Sequence, residues 1–129
     1  MRDHTKLRAF EMADLLALDV YKSTADFPRA EQFGLTSQMR RAAVSIPSNI
    51  VEGCARDSTA DYLRFLDIAF GSLRELEYQA SLAHRLGYLS EVQRLAAVMT
   101  ETSKVLAALY AVEPKPLQPK SLKSYSLTP

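Results

Sequence analysis

The sequence predicts an all-α fold, an antiparallel up-and-down four-helix bundle, and three observations predict it. At 129 residues the chain has the length of one domain, enough to bury a core but not to build two. Its composition, 47% hydrophobic and 24% charged with only four glycines, is that of a globular protein with few breaks in its elements. Apolar residues then recur three and four apart along four successive segments joined by short connections, and such amphipathic helices pack most simply up and down.

The first segment runs from about residue 10 to 25, with Ala13, Leu16, Val20 and Tyr21 on one side. Phe27 and Pro28 stop it, because a residue before proline is pushed out of the helical region, and Gly34 frees the connection. The second, from about 35 to 53, carries an apolar stripe of Leu35, Met39, Ala42, Ile46 and Ile50. A polar stripe of Gln38, Arg41, Ser45, Ser48 and Glu52 runs beside it. Pro47 lies inside this pattern and predicts a kink, with Ser45, Ser48 and Asn49 near enough to satisfy freed backbone groups. Gly53 marks the end.

Ser58, Thr59, Ala60 and Asp61 read as a capping box that starts the third helix, spanning about 58 to 86. Tyr62, Leu66, Ala69, Leu73, Leu76, Ala80 and Ala83 form its seam, and at ~1.5 Å per residue such a helix is roughly 40 Å long. Leu63, Ile68, Phe70 and Leu82 fall partly outside the seam, either widening the core face or meeting another subunit. Gly87 closes the helix. Ser90 to Gln93 reads as a second capping box, and Val92, Leu95, Met99, Thr102, Leu106 and Leu109 carry a fourth helix over about 90 to 111. The bundle domain is thus residues 1–112, and 113–129, rich in Pro, Lys and Ser, is expected to be a flexible tail.

Composition also narrows function. Sixteen basic and fifteen acidic side chains give a net charge of +1, so nucleic-acid or anionic-membrane binding requires a local patch. No stretch is long and apolar enough to span a bilayer, and the start, charged from Arg2 to Lys6, does not resemble a signal peptide. The single cysteine, Cys54, rules out an intrachain disulfide and a multi-cysteine zinc site, and a cytoplasmic location is expected. Neither His4 nor His84 has a Glu three residues before it, as a di-metal bundle site requires. There is no phosphate loop, dinucleotide fingerprint or nucleophile elbow. No enzymatic activity, metal or cofactor is expected.

The polar stripe is more informative. Arg41, Ser45, Ser48, Asn49 and Glu52, completed by Arg56, Glu75 or Glu77, suit a half-buried network fixing register between helices or subunits. A purely solvated face would carry longer charged side chains than these serines and asparagine. Arg40, Arg41, Arg56, Arg64, Arg74 and Arg85 are candidate phosphate contacts if they converge, although Asp57, Asp61 and Asp67 stand beside them as pairing partners.

The run from Phe27 to Glu77 carries a resemblance. FP, FGLTSQMRRAAVSIPSNIVEG, R-x-S, Y-x-R-F-L-x-I-A and GS-L-x-ELE occur in order, with LGYLS later. Over about Leu7 to Tyr110 the chain resembles the bacterial four-helix-bundle family of proteins encoded in intervening sequences of 23S ribosomal RNA. The resemblance implies a ring-shaped homopentamer without assigned enzymatic activity. It also implies kinship with the accessory variability proteins of diversity-generating retroelements, basic pentamers that associate with a reverse transcriptase and nucleic acid. Here Asp57, Thr59 and Ala60 replace frequent basic residues, which diminishes the basic loop. The expected function is therefore a non-enzymatic homo-oligomeric scaffold or adaptor with RNA, DNA or a protein as partner. The competing expectation is a nucleic-acid-binding protein, accessory to a reverse transcriptase or ribosomal RNA, that needs no ring.

Overall fold

A computed structural model describes residues 1–113, so the tail expected over 113–129 lies, beyond Glu113, outside the described residues. Four helices make up the described residues: α1 (Arg8–Thr24), α2 (Leu35–Cys54), α3 (Thr59–Arg85) and α4 (Val92–Ala111), with short 3-10 turns at His4–Lys6 and Arg29–Glu31. No strand occurs among the described residues.

Each helix packs on its chain neighbours, α4 closes back on α1, and the backbones of the diagonal pairs do not approach closely. Cross-helix contacts fix the directions. Arg8 meets Glu101 and Asp19 meets Arg94, so α4 descends as α1 rises. Ser45 meets Ser72 while Gly53 packs on Tyr62 and Phe65, so α2 and α3 are antiparallel too. The bundle is the up-and-down one expected of short connections.

All seven residues of the α3 seam are buried, facing Leu16 and Val20 of α1, Met39, Ile46 and Ile50 of α2, and Leu95 and Leu106 of α4 in one apolar cluster. The surplus apolar residues of α3 divide. Leu63 joins the core, Leu82 and Phe70 pack against it, and Phe70 sets its edge on Tyr110 at 6.3 Å. Only Ile68 stays largely outside. Tyr21, expected on the buried side of α1, is 46% exposed and carries the Arg40 guanidinium over its ring.

The helix ends follow the sequence in part. Ser58 caps α3 by accepting from the Asp61 amide at 3.1 Å, and Gly87 takes the left-handed conformation (φ 80°) that closes a helix. Ser90 does not cap α4: position Glu91 precedes the helix and its side chain makes no cap bond. Nor does Gly53 end α2, which continues to Cys54. A β-carbon there would stand 3.0 Å from Phe65 Cβ and 3.3 Å from the Tyr62 carbonyl, so glycine serves the close approach of α3.

Helix α2 begins at Leu35, as expected, and its first turn is met by a side chain from the preceding turn. Glu31 Oε1 accepts from the Leu35 amide at 3.1 Å, reaching through the space where a Gly34 side chain would stand. Its other oxygen accepts from the Tyr88 hydroxyl at 3.2 Å, which stabilises the neutral phenol and raises its pKa. Pro47 is buried within α2 without breaking it. Asn49 Nδ2 donates to the Ser45 carbonyl at 2.7 Å one turn back, not to the Ala43 carbonyl that Pro47 frees.

Candidate assembly and nucleic-acid surfaces

Antiparallel packing of α2 on α3 aligns one flank of each helix along a shared outer face. On that face Ser45 and Ser72 hydroxyls meet at 2.7 Å, half-buried, and Asn49 Nδ2 also donates to Ser45 Oγ at 3.0 Å. Of the polar stripe read from the sequence, Ser45 and Asn49 enter this network. Ser48 stays exposed, and Glu52 instead pairs with Arg56 at 3.0 Å one turn on. Ile68, one turn from Ser72, lies beside the network at 42% exposure.

Farther along the face, Arg41 and Glu75 line one surface depression with Gln38 and Gln79. Arg41 forms no ion pair among the described residues, so this part of the stripe shares a place without a direct bond. Gln79 is the unusual member. It is 6% exposed, yet among the described residues no group donates to its Oε1. A buried carbonyl oxygen without a donor costs about 1–3 kcal/mol, so a donor supplied at this position is favourable.

The arginines do not converge. Arg40 turns toward α1, donating to Thr24 Oγ1 at 2.8 Å and to the Tyr21 carbonyl at 3.3 Å. Arg74 lies on the opposite flank of α3, paired with Glu77 at 2.7 Å and bonded to Ser103 of α4 at 3.1 Å. Arg85 bonds back to the Ser81 carbonyl. Arg56 and Arg64 do come together, with guanidinium centres 5.0 and 4.6 Å from the Phe65 ring centroid, beside the turn joining α2 to α3. Glu52 and Asp61 pair with them at the exposed rim, where such pairs contribute about 0–1 kcal/mol and are readily exchanged for a phosphate.

Sequence reading placed Gln38 in the polar stripe but missed Ser72, Phe65 and Gln79. Ser72 and Gln79 are seven residues apart, two helical turns on one flank of α3, a spacing that was present in the sequence but masked by the stronger apolar seam. His84 and Cys54 stand apart from this face: His84 Nδ1 lies 3.3 Å from the Leu89 carbonyl, and Cys54 is buried with its thiol pKa raised by burial. Among the described residues no three His, Cys, Asp or Glu side chains gather in a metal-binding group. No helix of the described chain is long and apolar enough to cross a membrane.

Residues 5–110 match the family model of the 23S rRNA-intervening sequence protein. A solved structure from Bacteroides thetaiotaomicron, described as a protein of unknown function from the S23 ribosomal protein family, is similar at 25% identity and a TM-score of 0.70. The alignment covers 79% of this chain and 97% of that one. Comparison with curated proteins finds no match.

Proposed function

Because the chain belongs to the 23S rRNA-intervening sequence protein family, we propose that it is a non-enzymatic scaffold or adaptor that works as a ring-shaped homopentamer and contacts RNA or DNA. The observation that carries the assembly is Gln79. Its buried Oε1, without a donor among the described residues, lies on the α2–α3 face with the half-buried Ser45–Ser72–Asn49 network and the half-exposed Ile68. A second subunit laid on this face supplies a donor and covers the isoleucine, and small serines let its backbone approach closely. Leu15, Leu18 and Val44, between 41% and 53% exposed, give further apolar area to neighbouring subunits.

Arg56, Arg64 and Phe65 form the nucleic-acid contact. The ring holds two guanidinium groups at the α2–α3 turn, and a pentamer repeats the pair five times, which multiplies a patch too weak in one protomer. The phosphate contacts make this binding salt-dependent, and the near-neutral net charge adds no long-range attraction to support it: it is expected below physiological ionic strength and lost above it.

Absolute mass by light scattering, with and without a mixed pool of structured RNA and duplex DNA at low salt, tests both parts. A pentamer-sized particle that gains mass with nucleic acid supports the proposal. A monomer at micromolar concentration removes the assembly, a pentamer that ignores nucleic acid removes the second contact, and a monomer that binds it selects the reading without a ring.

A further inference from the structure

The N-terminal residues, Met1 to Leu7, cross the end of the bundle where α2 stops, α3 begins and α4 ends. Arg2 makes three contacts there. Its backbone N–H donates to the Cys54 carbonyl at 2.8 Å. Its guanidinium lies 3.8 Å from the Tyr62 ring centroid and forks onto Glu113, Nε to Oε1 at 3.2 Å and Nη2 to Oε2 at 3.1 Å. Asp3 then caps a 3-10 turn through the Thr5 amide, and His4 sets its ring edge-on to Phe10 at 4.8 Å. Beneath this crossing Cys54 is 1% and Tyr62 0% exposed, and the Tyr62 hydroxyl has no hydrogen-bond partner among the described residues.

Three features make this more than an ordered terminus. Planar bidentate pairing of guanidinium with carboxylate is the strongest common side-chain contact, and here it is mostly shielded, with Arg2 27% and Glu113 17% exposed. It joins residues 111 positions apart, so it ties the two ends of the described chain to one another. Apart from Leu7, which packs on the core, the segment buries little apolar surface, so it is held chiefly by polar contacts that can open without unfolding the bundle.

We propose that Met1 to Leu7 is a strap latched by the Arg2–Glu113 fork, and that opening of the fork lifts it and uncovers Cys54 and Tyr62. This goes beyond the assembly and nucleic-acid surfaces, which lie on other residues. Burial holds the Cys54 thiol above its ordinary pKa while the strap is closed, so the closed state is unreactive.

Cys54 is the only cysteine and reports the opening directly. The full-length protein is treated with an aromatic disulfide: the Cys54 thiolate forms a mixed disulfide, the reagent's S–S bond breaks, and one coloured aryl thiolate leaves. Labelling is followed for the wild type, Arg2→Ala and Glu113→Gln, with helicity checked by circular dichroism. Both variants are expected to label about tenfold faster at unchanged helicity, because each removes the same charge-assisted fork. In the wild type, labelling below the unfolding transition is expected to be nearly independent of urea, as local opening exposes little surface. Equal rates in all three proteins, or wild-type labelling that rises with urea at the slope of global unfolding, overturns the strap.

Discussion

Two glycines, Gly53 and Gly71, predict opposite outcomes for one chemical change. Replacing a helical glycine with alanine gains about 0.8–1 kcal/mol from backbone entropy alone. At Gly71 on α3 a new β-carbon meets nothing within 4 Å, so Gly71→Ala is expected to keep that whole gain. At Gly53 it meets Phe65 Cβ at 3.0 Å, Tyr62 Cδ1 at 3.3 Å and the Tyr62 carbonyl at 3.3 Å. Two of these atoms are fixed to the α3 backbone, so relief requires the helices to separate. Overpacking of this kind costs about 1–3 kcal/mol, which exceeds the propensity gain. Gly53→Ala is thus expected to destabilise by about 1 kcal/mol, placing the two variants about 2 kcal/mol, or roughly 8 °C in melting temperature, apart. Urea unfolding at fixed protein concentration, followed by circular dichroism, measures the difference. Equal stabilisation in both variants would refute the close α2–α3 approach and with it the account of why α2 runs past its glycine.

Gln79→Met removes a buried acceptor without a donor among the described residues, so it is expected to stabilise the isolated protomer by about 1 kcal/mol while weakening self-association about tenfold; light scattering across a dilution series and urea unfolding separate the two effects. Arg56→Gln with Arg64→Gln should lower the salt dependence of nucleic-acid binding by about two phosphate contacts, read as a flatter slope of log affinity against log salt, whereas Arg74→Gln leaves that slope unchanged. Burial pushes the Tyr62 phenol up to about 12, above its unfolded value near 10, so its contribution to stability is complete below pH 10 and is lost as pH rises toward 12. Tyr62→Phe is expected to abolish that alkaline loss, roughly 1–2 kcal/mol in denaturant titrations at pH 9 and pH 11.5.

The sequence disclosed the fold through a single physical signal. An apolar seam with the period of the helix, such as Tyr62 through Ala83, has only one arrangement that buries it, and its seven residues are all in the core. Helix ends were less legible because competing caps look alike in sequence. Ser58 and Ser90 both precede an acid or amide at capping distance, yet only Ser58 is used, and α2 is capped by Glu31 from the preceding turn. Gly53 shows a second limit: a glycine near a helix end reads as a terminator, whereas the approach of Tyr62 and Phe65 is a fact of three dimensions. On the candidate surfaces, residue type was legible but azimuth was not. Arg40, Arg56 and Arg74 look equivalent in a list, and the faces they occupy point toward α1, the α2–α3 turn and α4. The Arg2–Glu113 fork joins the ends of the described chain, where no local pattern signals it.

The α2–α3 pair has the most extensive packing of any two helices, and a connection of only four residues joins them. Closing so short a loop has the smallest entropic penalty, so this hairpin is the natural nucleus from which the domain condenses outward. The α1–α4 contact, which must bring together the two most distant segments, comes last and through fewer contacts. Native-state hydrogen exchange should therefore be slowest in the middle of the chain and fastest in its outer helices. The same hairpin bears both proposed binding surfaces, so the part of the molecule that meets partners is the part that forms first. Such an order would let a nascent chain present its recognition face before its own ends are in place.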